Sequence, residues 1–374
     1  MKKMIISLVI ATVTLCSCGV NVIDAETNKE NNTSYIKVNG DYYDNGVIID
    51  SSLPMYLDFD TMEKAPLCAA PNCTHMTSAC LAKNAGNMPV FYNDHIYFFE
   101  TNGGDVKETR DGKEFFIKSK LKKASLDSSE VQTMCEFDDT IPNIGYNAYV
   151  LHNNELFFVG DNPQPELNAY GGFSWGTTGG CHDLCCIDLD TGKYTNFGSI
   201  YDGDKQYEGA KVSSSCFISG VYKDKMYLQY SFTKKIMSPD DKKIEWTRVV
   251  FEFDFDTKTW TESELPPSRF MTNDEYTYFD EDSQELNIIT DNGLKTASVK
   301  DYNILGEATI MSIYNGKLFM PTVGIWFDMA DMSAHSMGDY KDYWVVTYYN
   351  GNYVLVDRTN VVKLTEEELL TLCD

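Results

Sequence analysis

The chain reads as an all-β protein, a β-propeller of about seven blades with limits of five and eight. Three observations point there. Residues that suit a pleated, half-buried surface are abundant; aromatics alone make up 13% of the 374 residues, with 24 Tyr and 20 Phe. Apolar runs recur around short polar turns: Val90 to Phe99 (VFYNDHIYFF), Val150 to Val159 (VLHNNELFFV), Val221 to Leu228 (VYKDKMYL), Ser312 to Met320 (SIYNGKLFM) and Val346 to Val356 (VTYYNGNYVLV). A second repeat is an alternating strand that ends in Asp-x-Asp-Thr, at Tyr56 to Thr61, Cys186 to Gly192 and Glu252 to Lys258, with a weaker copy at Ala124 to Ser128. Two hairpin signals per unit amount to about four strands, and units that cannot bury an apolar face alone stack radially.

Taken in order, the chain opens with Lys2 and Lys3 and an uncharged run from Met4 to Leu15. That run is too short to cross a bilayer and reads as the apolar part of a signal peptide, residues 1–17. Leu15-Cys16-Ser17-Cys18 is a lipobox: an aliphatic residue at −3, a small one at −1, and a thiol to carry a thioether-linked diacylglycerol. Cys16 is not the modified residue, since Leu15 would then hold the small-residue position. Two or more fatty acyl chains, such as palmitate, anchor a protein stably. Cys18 lipidation therefore predicts a protein tethered to the outer face of the cell membrane. Residues 18–33 are polar and without period, a flexible tether. The propeller follows over 34–374, and Tyr35 to Val38 is expected to complete the last blade and close the ring. Thr365 should cap a short helical tail whose first turn is acidic (Glu366, Glu367, Glu368).

The formal net charge is −25, which repels phosphate backbones and anionic headgroups. Nucleic acid is excluded as a partner, and membrane contact falls to the lipid on Cys18. A monomer is expected. Insertions at 161–180, 200–215 and 233–246 read as loops. The first is Gly-rich and holds Tyr170, Phe173 and Trp175, either a ligand-binding rim or aromatics packed onto the next blade.

Chemistry-bearing residues concentrate at Cys68-x4-Cys73-x-His75-x4-Cys80. Three sulfurs and an imidazole are the donors of a structural Cys3His zinc site, while exported proteins commonly oxidise such cysteines. Metal, disulfide and thiols remain open here. In Cys181-His182-x2-Cys185-Cys186, the last two cysteines point to opposite faces of a strand and cannot easily share one site. Apart from Cys16 and Cys18 there are nine cysteines, an odd number that leaves at least one unpaired. The Asp-x-Asp-Thr repeats lack the further oxygens of a calcium loop and read as Asx-turns. No Gly-x-Ser-x-Gly, His-Glu-x-x-His or phosphate-binding loop occurs.

The lipobox, the stretch Pro66-Leu67-Cys68 … Pro71-Asn72-Cys73-Thr74-His75 … Cys80 and the repeated aromatic strands resemble lipoproteins of anaerobic Gram-positive bacteria with an extracellular β-propeller-like domain. The resemblance implies a fold and a location, and no activity comes with it. The expected function is a membrane-anchored binding or scaffold module for a glycan, peptide or envelope protein; no cofactor is expected, a structural zinc ion being one of the open uses of Cys68, Cys73, His75 and Cys80. The alternative is a carbohydrate-active propeller enzyme, a glycosidase or lyase with a carboxylate pair in the axial pocket; the 56 acidic residues do not single out that pair.

Overall fold

Tight turns set the pattern. Asn93-Asp94, Lys223-Asp224, Asn315-Gly316 and Asn350-Gly351 hold positive φ at both central positions (45°/60°, 49°/57°, 49°/71° and 50°/79°), the two-residue turn whose twist matches the strands it joins. The computed structural model describes residues 35–37, 41–43, 45–49, 54–68, 72–76, 80–84, 89–109, 112–125, 130–142, 149–167, 173–199, 213–237, 242–272, 274–302, 311–357 and 359–372. Cys18, the lipobox and the tether lie outside them. No helix among the described residues is long and apolar enough to cross a membrane.

The described strands form seven antiparallel sheets in chain order. Blade 1 holds Asp41–Tyr43, Gly46–Ile49, Met55–Asp58 and Lys64–Pro66; blade 2 holds Val90–Tyr92, His95–Thr109, Gly112–Ser125 and Val131–Phe137. Blade 3 holds Tyr149–His152, Glu155–Leu167, Phe173–Asp188 and Tyr194–Ser199; blade 4 holds Ser213–Tyr222, Lys225–Met237, Lys242–Asp254 and Thr259–Glu262. Blade 5 spans Ser268–Met271 to Gly293–Ser298, blade 6 spans Ser312–Tyr314 to Ser333–Ser336, and blade 7 has three strands, Trp344–Tyr349, Asn352–Val356 and Val361–Thr365. Neighbouring sheets adjoin through their first strands, as Tyr149–His152 does with Ser213–Tyr222 and Ser312–Tyr314 with Trp344–Tyr349. First strands are thus innermost around a common axis, and the protein is a seven-bladed β-propeller.

Its core is divided among the seams. Seven apolar clusters each bridge two consecutive blades, the last joining blade 7 to blade 1 through Val354, Val356, Leu57 and Phe59. Both faces of a blade are therefore buried, which is why its strands read as unbroken apolar runs. Phe157 packs towards blade 4 and Phe158 towards blade 2; Cys186 and Cys185 divide the same way, as their adjacency on a strand requires.

The Asp-x-Asp-Thr repeat fastens these seams. Asp188 Oδ1 accepts the backbone N–H of Asp190 (3.0 Å) and Thr191 (2.8 Å); Asp58 and Asp254 do the same at their turns. These are Asx-turns. The apolar residue between the two aspartates, Phe59, Leu189 or Phe255, is buried in the seam with the preceding blade.

Ring closure differs from the expectation. Tyr35–Lys37 does not complete blade 7; it pairs antiparallel with Tyr149–His152, on the axial edge of blade 3. The seam between blades 7 and 1 is closed by side chains instead. Tyr349 donates its hydroxyl to Asp60 Oδ1 (3.0 Å), as Tyr92 does to Asp190 Oδ1 (3.1 Å) between blades 2 and 3, so the gap is sealed by the contact that an internal seam uses.

The described residues of the insertions at 161–180 and 233–246 are not loops. They are continuations of second and third strands, with Glu155–Leu167 paired to Phe173–Asp188 as far as Leu167↔Phe173, and Lys225–Met237 paired to Lys242–Asp254 as far as Met237↔Lys242. Blade 2 has a hairpin of the same kind, ending at Thr109↔Gly112. Cross-strand pairing satisfies the backbone of residues whose composition suggested turns. The segment 200–212 lies outside the described residues. The tail is helical over Glu366–Thr371 (α2, counting Leu81–Asn84 as α1), with a capping box between Thr365 and Glu368.

Candidate metal centre and ligand-binding face

The connection from blade 1 to blade 2 carries Cys68, Cys73, His75 and Cys80. Asn72 and His75 adopt positive φ (60° and 55°), and α1 begins immediately after Cys80. The four side chains converge: one ligand atom from each lies within 4.8 Å of all the others. His75 Nδ1 stands 3.4 Å from Cys80 Sγ. The His75 backbone N–H donates to Cys73 Sγ (3.4 Å), and Lys83 donates its backbone N–H to Cys80. Burial is the main influence that raises the Cys80 thiol above its ordinary value, and the thiols of Cys73 and Cys68 add to it. The cluster rests on the seam of blades 1 and 2, where Leu67, Cys80, Leu81 and Ala82 meet Ile48, Phe91 and Phe98. All four residues singled out by donor type are brought together.

Among the described residues, Cys135, Cys185, Cys186 and Cys216 lie apart from this cluster. Burial pushes the thiols of Cys135 and Cys185 up to about 11 and about 12, and those of Cys186 and Cys216 higher still; they are inert fillers of the seams.

The two faces of the ring differ. In blades 2 to 4 the first strand ends in a tight turn, so antiparallel alternation sends the hairpins between second and third strands to the opposite face. That face bears the three extended hairpins and, with the other connections between blades, the Cys3His segment. Phe173 and Trp175 lie on the blade 3 hairpin, their backbones opposite Leu167 and Pro165. Tyr170 lies outside the described residues.

A polar network missed in the sequence supports the base of that hairpin. His182 and Asp183 are buried; His182 Nδ1 meets Asp161 Oδ1 at 2.6 Å, and its ring stands edge-on to Tyr230. Asn196 Nδ2 donates to both Asp183 Oδ2 and Asp139 Oδ2 (2.9 Å each), and the Tyr194 hydroxyl donates to Asp139 Oδ1 (2.9 Å). Burial holds the Tyr194 hydroxyl far above its ordinary value. Asp139 and Asp183 are thus two carboxylates close together, but protein donors occupy them and the outer strand Tyr194–Ser199 places them away from the axis. The partners are up to 57 positions apart, so no local spacing could have marked them.

No protein-family model and no curated protein matches the chain. Among solved structures it is similar to a PL25 polysaccharide lyase, an ulvan lyase bound to -[GlcA(1-4)Rha3S]-, at 10% identity and TM-score 0.45, covering 90% of this chain and 95% of that one. It is also similar to the β-propeller domain of the Trilobed protease from Pyrococcus furiosus (11% identity, TM-score 0.43, 89% and 98% covered). An oligogalacturonate lyase in complex with manganese matches at 13% identity and TM-score 0.35, covering 87% of this chain and 75% of that one. At such identities no functional residue is carried over.

Proposed function

We propose that the protein is a membrane-anchored, extracytoplasmic binding module that takes a glycan, peptide or envelope protein on its hairpin face. The observation that carries this reading is the strand Tyr35–Lys37 on the innermost edge of blade 3. It occupies axial space where a propeller enzyme would seat its substrate, and leaves the raised hairpins of blades 2 to 4 as the shaped surface. Loops and hairpins held by a rigid scaffold commonly carry recognition. Tyr35 pairs with Leu151, near the tight turn that follows His152, so this strand enters the ring from the turn face.

Asn162 and Cys181 are directly opposed across the blade 3 hairpin, so residues 163–180 can be replaced by Asn-Gly without altering the blade. Wild type and this variant are to be compared on a glycan array and by crosslinking on intact cells. Partners retained by the wild type and lost by the variant at unchanged Tm support the reading. Identical profiles overturn it, and release of shortened or unsaturated sugars from the array glycans would establish the enzyme alternative instead. For the anchor, Cys18→Ala should move the protein out of the membrane fraction; unaltered fractionation and processing would refute lipidation.

A further inference from the structure

From the convergence of Cys68, Cys73, His75 and Cys80 we infer that the connection between blades 1 and 2 is a structural zinc site, with all four residues as ligands. Bond lengths of about 2.3 Å for zinc to sulfur and about 2.0 Å for zinc to nitrogen set tetrahedral edges of roughly 3.5–3.8 Å. The 3.4 Å between His75 Nδ1 and Cys80 Sγ is already close to such an edge, and the 4.8 Å limit on all ligand-atom separations leaves about an ångström of closure on binding. A disulfide would demand about 2.05 Å between one pair of sulfurs and would account for neither the third cysteine nor the imidazole.

The surroundings fit a bound cation. Backbone N–H groups of His75 and Lys83 point at the sulfurs of Cys73 and Cys80, as outer-shell donors do around metal thiolates. Binding releases one proton from each of the three thiols, so Zn²⁺ with three thiolates and neutral His75 leaves a single negative charge. Lys83, whose ammonium donates to the carbonyl of Met76, the residue after His75, at 2.7 Å, brings a positive charge to the same segment. Four protein donors complete the tetrahedron and leave no position for water, which makes the site structural and not catalytic. Its effect is to fix a segment poor in regular structure against Ile48, Phe91 and Phe98, because a site assembled only in the folded chain adds its binding free energy to folding.

The test uses the full mature chain purified without added metal, in the presence and absence of reductant. Elemental analysis should find about one zinc per chain. Cys73→Ser and His75→Ala should each lower that content at least about tenfold. Should those variants fail to fold, the wild-type chain exchanged into Co²⁺ supplies an independent readout, the visible bands of a tetrahedral thiolate site. Zinc-free protein with a disulfide joining two of Cys68, Cys73 and Cys80 in peptide mapping would overturn the inference. So would full zinc retention in both variants, or a cobalt spectrum without thiolate character.

Discussion

Asp188 and Leu189 divide one task at the residue scale: the carboxylate shapes the turn, and the side chain after it enters the neighbouring seam. Leu189 is 1% exposed in the cluster shared with blade 2, so Leu189→Ala should cost about 2–5 kcal/mol in urea unfolding. Asp188→Ala removes, at a half-exposed position, the carboxylate that accepts from the backbone of Asp190 and Thr191 and from the side chains of Thr191 and Asn154, and should cost about 1–2 kcal/mol. Equal losses would contradict this division. Aspartates that accept backbone N–H groups at turns, Asp280, Asp328 and Asp357 as well as Asp188 and Asp254, tie stability to acidity. Backbone N–H groups of Thr257 at Asp254, Ser283 at Asp280, Ala330 at Asp328 and Asn360 at Asp357 hold these carboxyls below their ordinary value. At Asp188 burial pushes upward, and the N–H groups of Thr191 and Asp190 outweigh it. Folded values lie below unfolded ones near about 3.9, so the contribution is complete above that pH and is lost as pH falls through the folded values. A urea midpoint that falls as the pH drops below about 4 is expected from these carboxyls; a midpoint that rises over that range would refute this account.

At the scale of elements, two-residue turns were legible because positive φ at consecutive positions leaves few residue choices, and Asn315-Gly316 and Asn350-Gly351 supply them. The tail helix was equally legible, since its cap is local: Thr365 Oγ1 accepts the Glu368 N–H (3.1 Å), and Glu368 Oε2 accepts the Thr365 N–H (2.8 Å). Thr365→Ala should lower stability by about 1 kcal/mol, with Thr365→Ser recovering most of it; hydrogen exchange confined to α2 is the direct measurement. The hairpin of Phe173 and Trp175 was not legible. Glycines that signal a loop are also tolerated in a paired ribbon, and register depends on the partner strand.

For the whole molecule, a ring closed by side chains distributes its stability over seven seams, and the terminal seam is the one without chain continuity. Phe59, 4% exposed, packs on Tyr349 with ring centroids 5.3 Å apart, and Lys64 Nζ donates to the carbonyls of Asp357 and Asn360 (3.2 Å each). Phe59→Ala should cost about 3–5 kcal/mol and should raise amide exchange in blades 1 and 7 together before blades 3 and 4. Uniform acceleration around the ring would show that the seam is not where opening begins.

Local chemistry settled much of this protein. Turn pairs, capping residues, opposite-facing Cys185 and Cys186, apolar strand runs, and three sulfurs with an imidazole within thirteen residues are properties of short stretches, and they were readable from the sequence. Three features were decided only by tertiary structure: Tyr35–Lys37 on the axial edge of blade 3, hairpins in place of loops, and the Asp139–Asn196–Asp183 network. Each depends on partners brought together from distant parts of the chain, where pairing edges and desolvation choose among alternatives that local sequence leaves nearly equal. The Cys68, Cys73, His75 and Cys80 cluster belongs to both: its donors were visible in one stretch, and the seam between two blades holds them together.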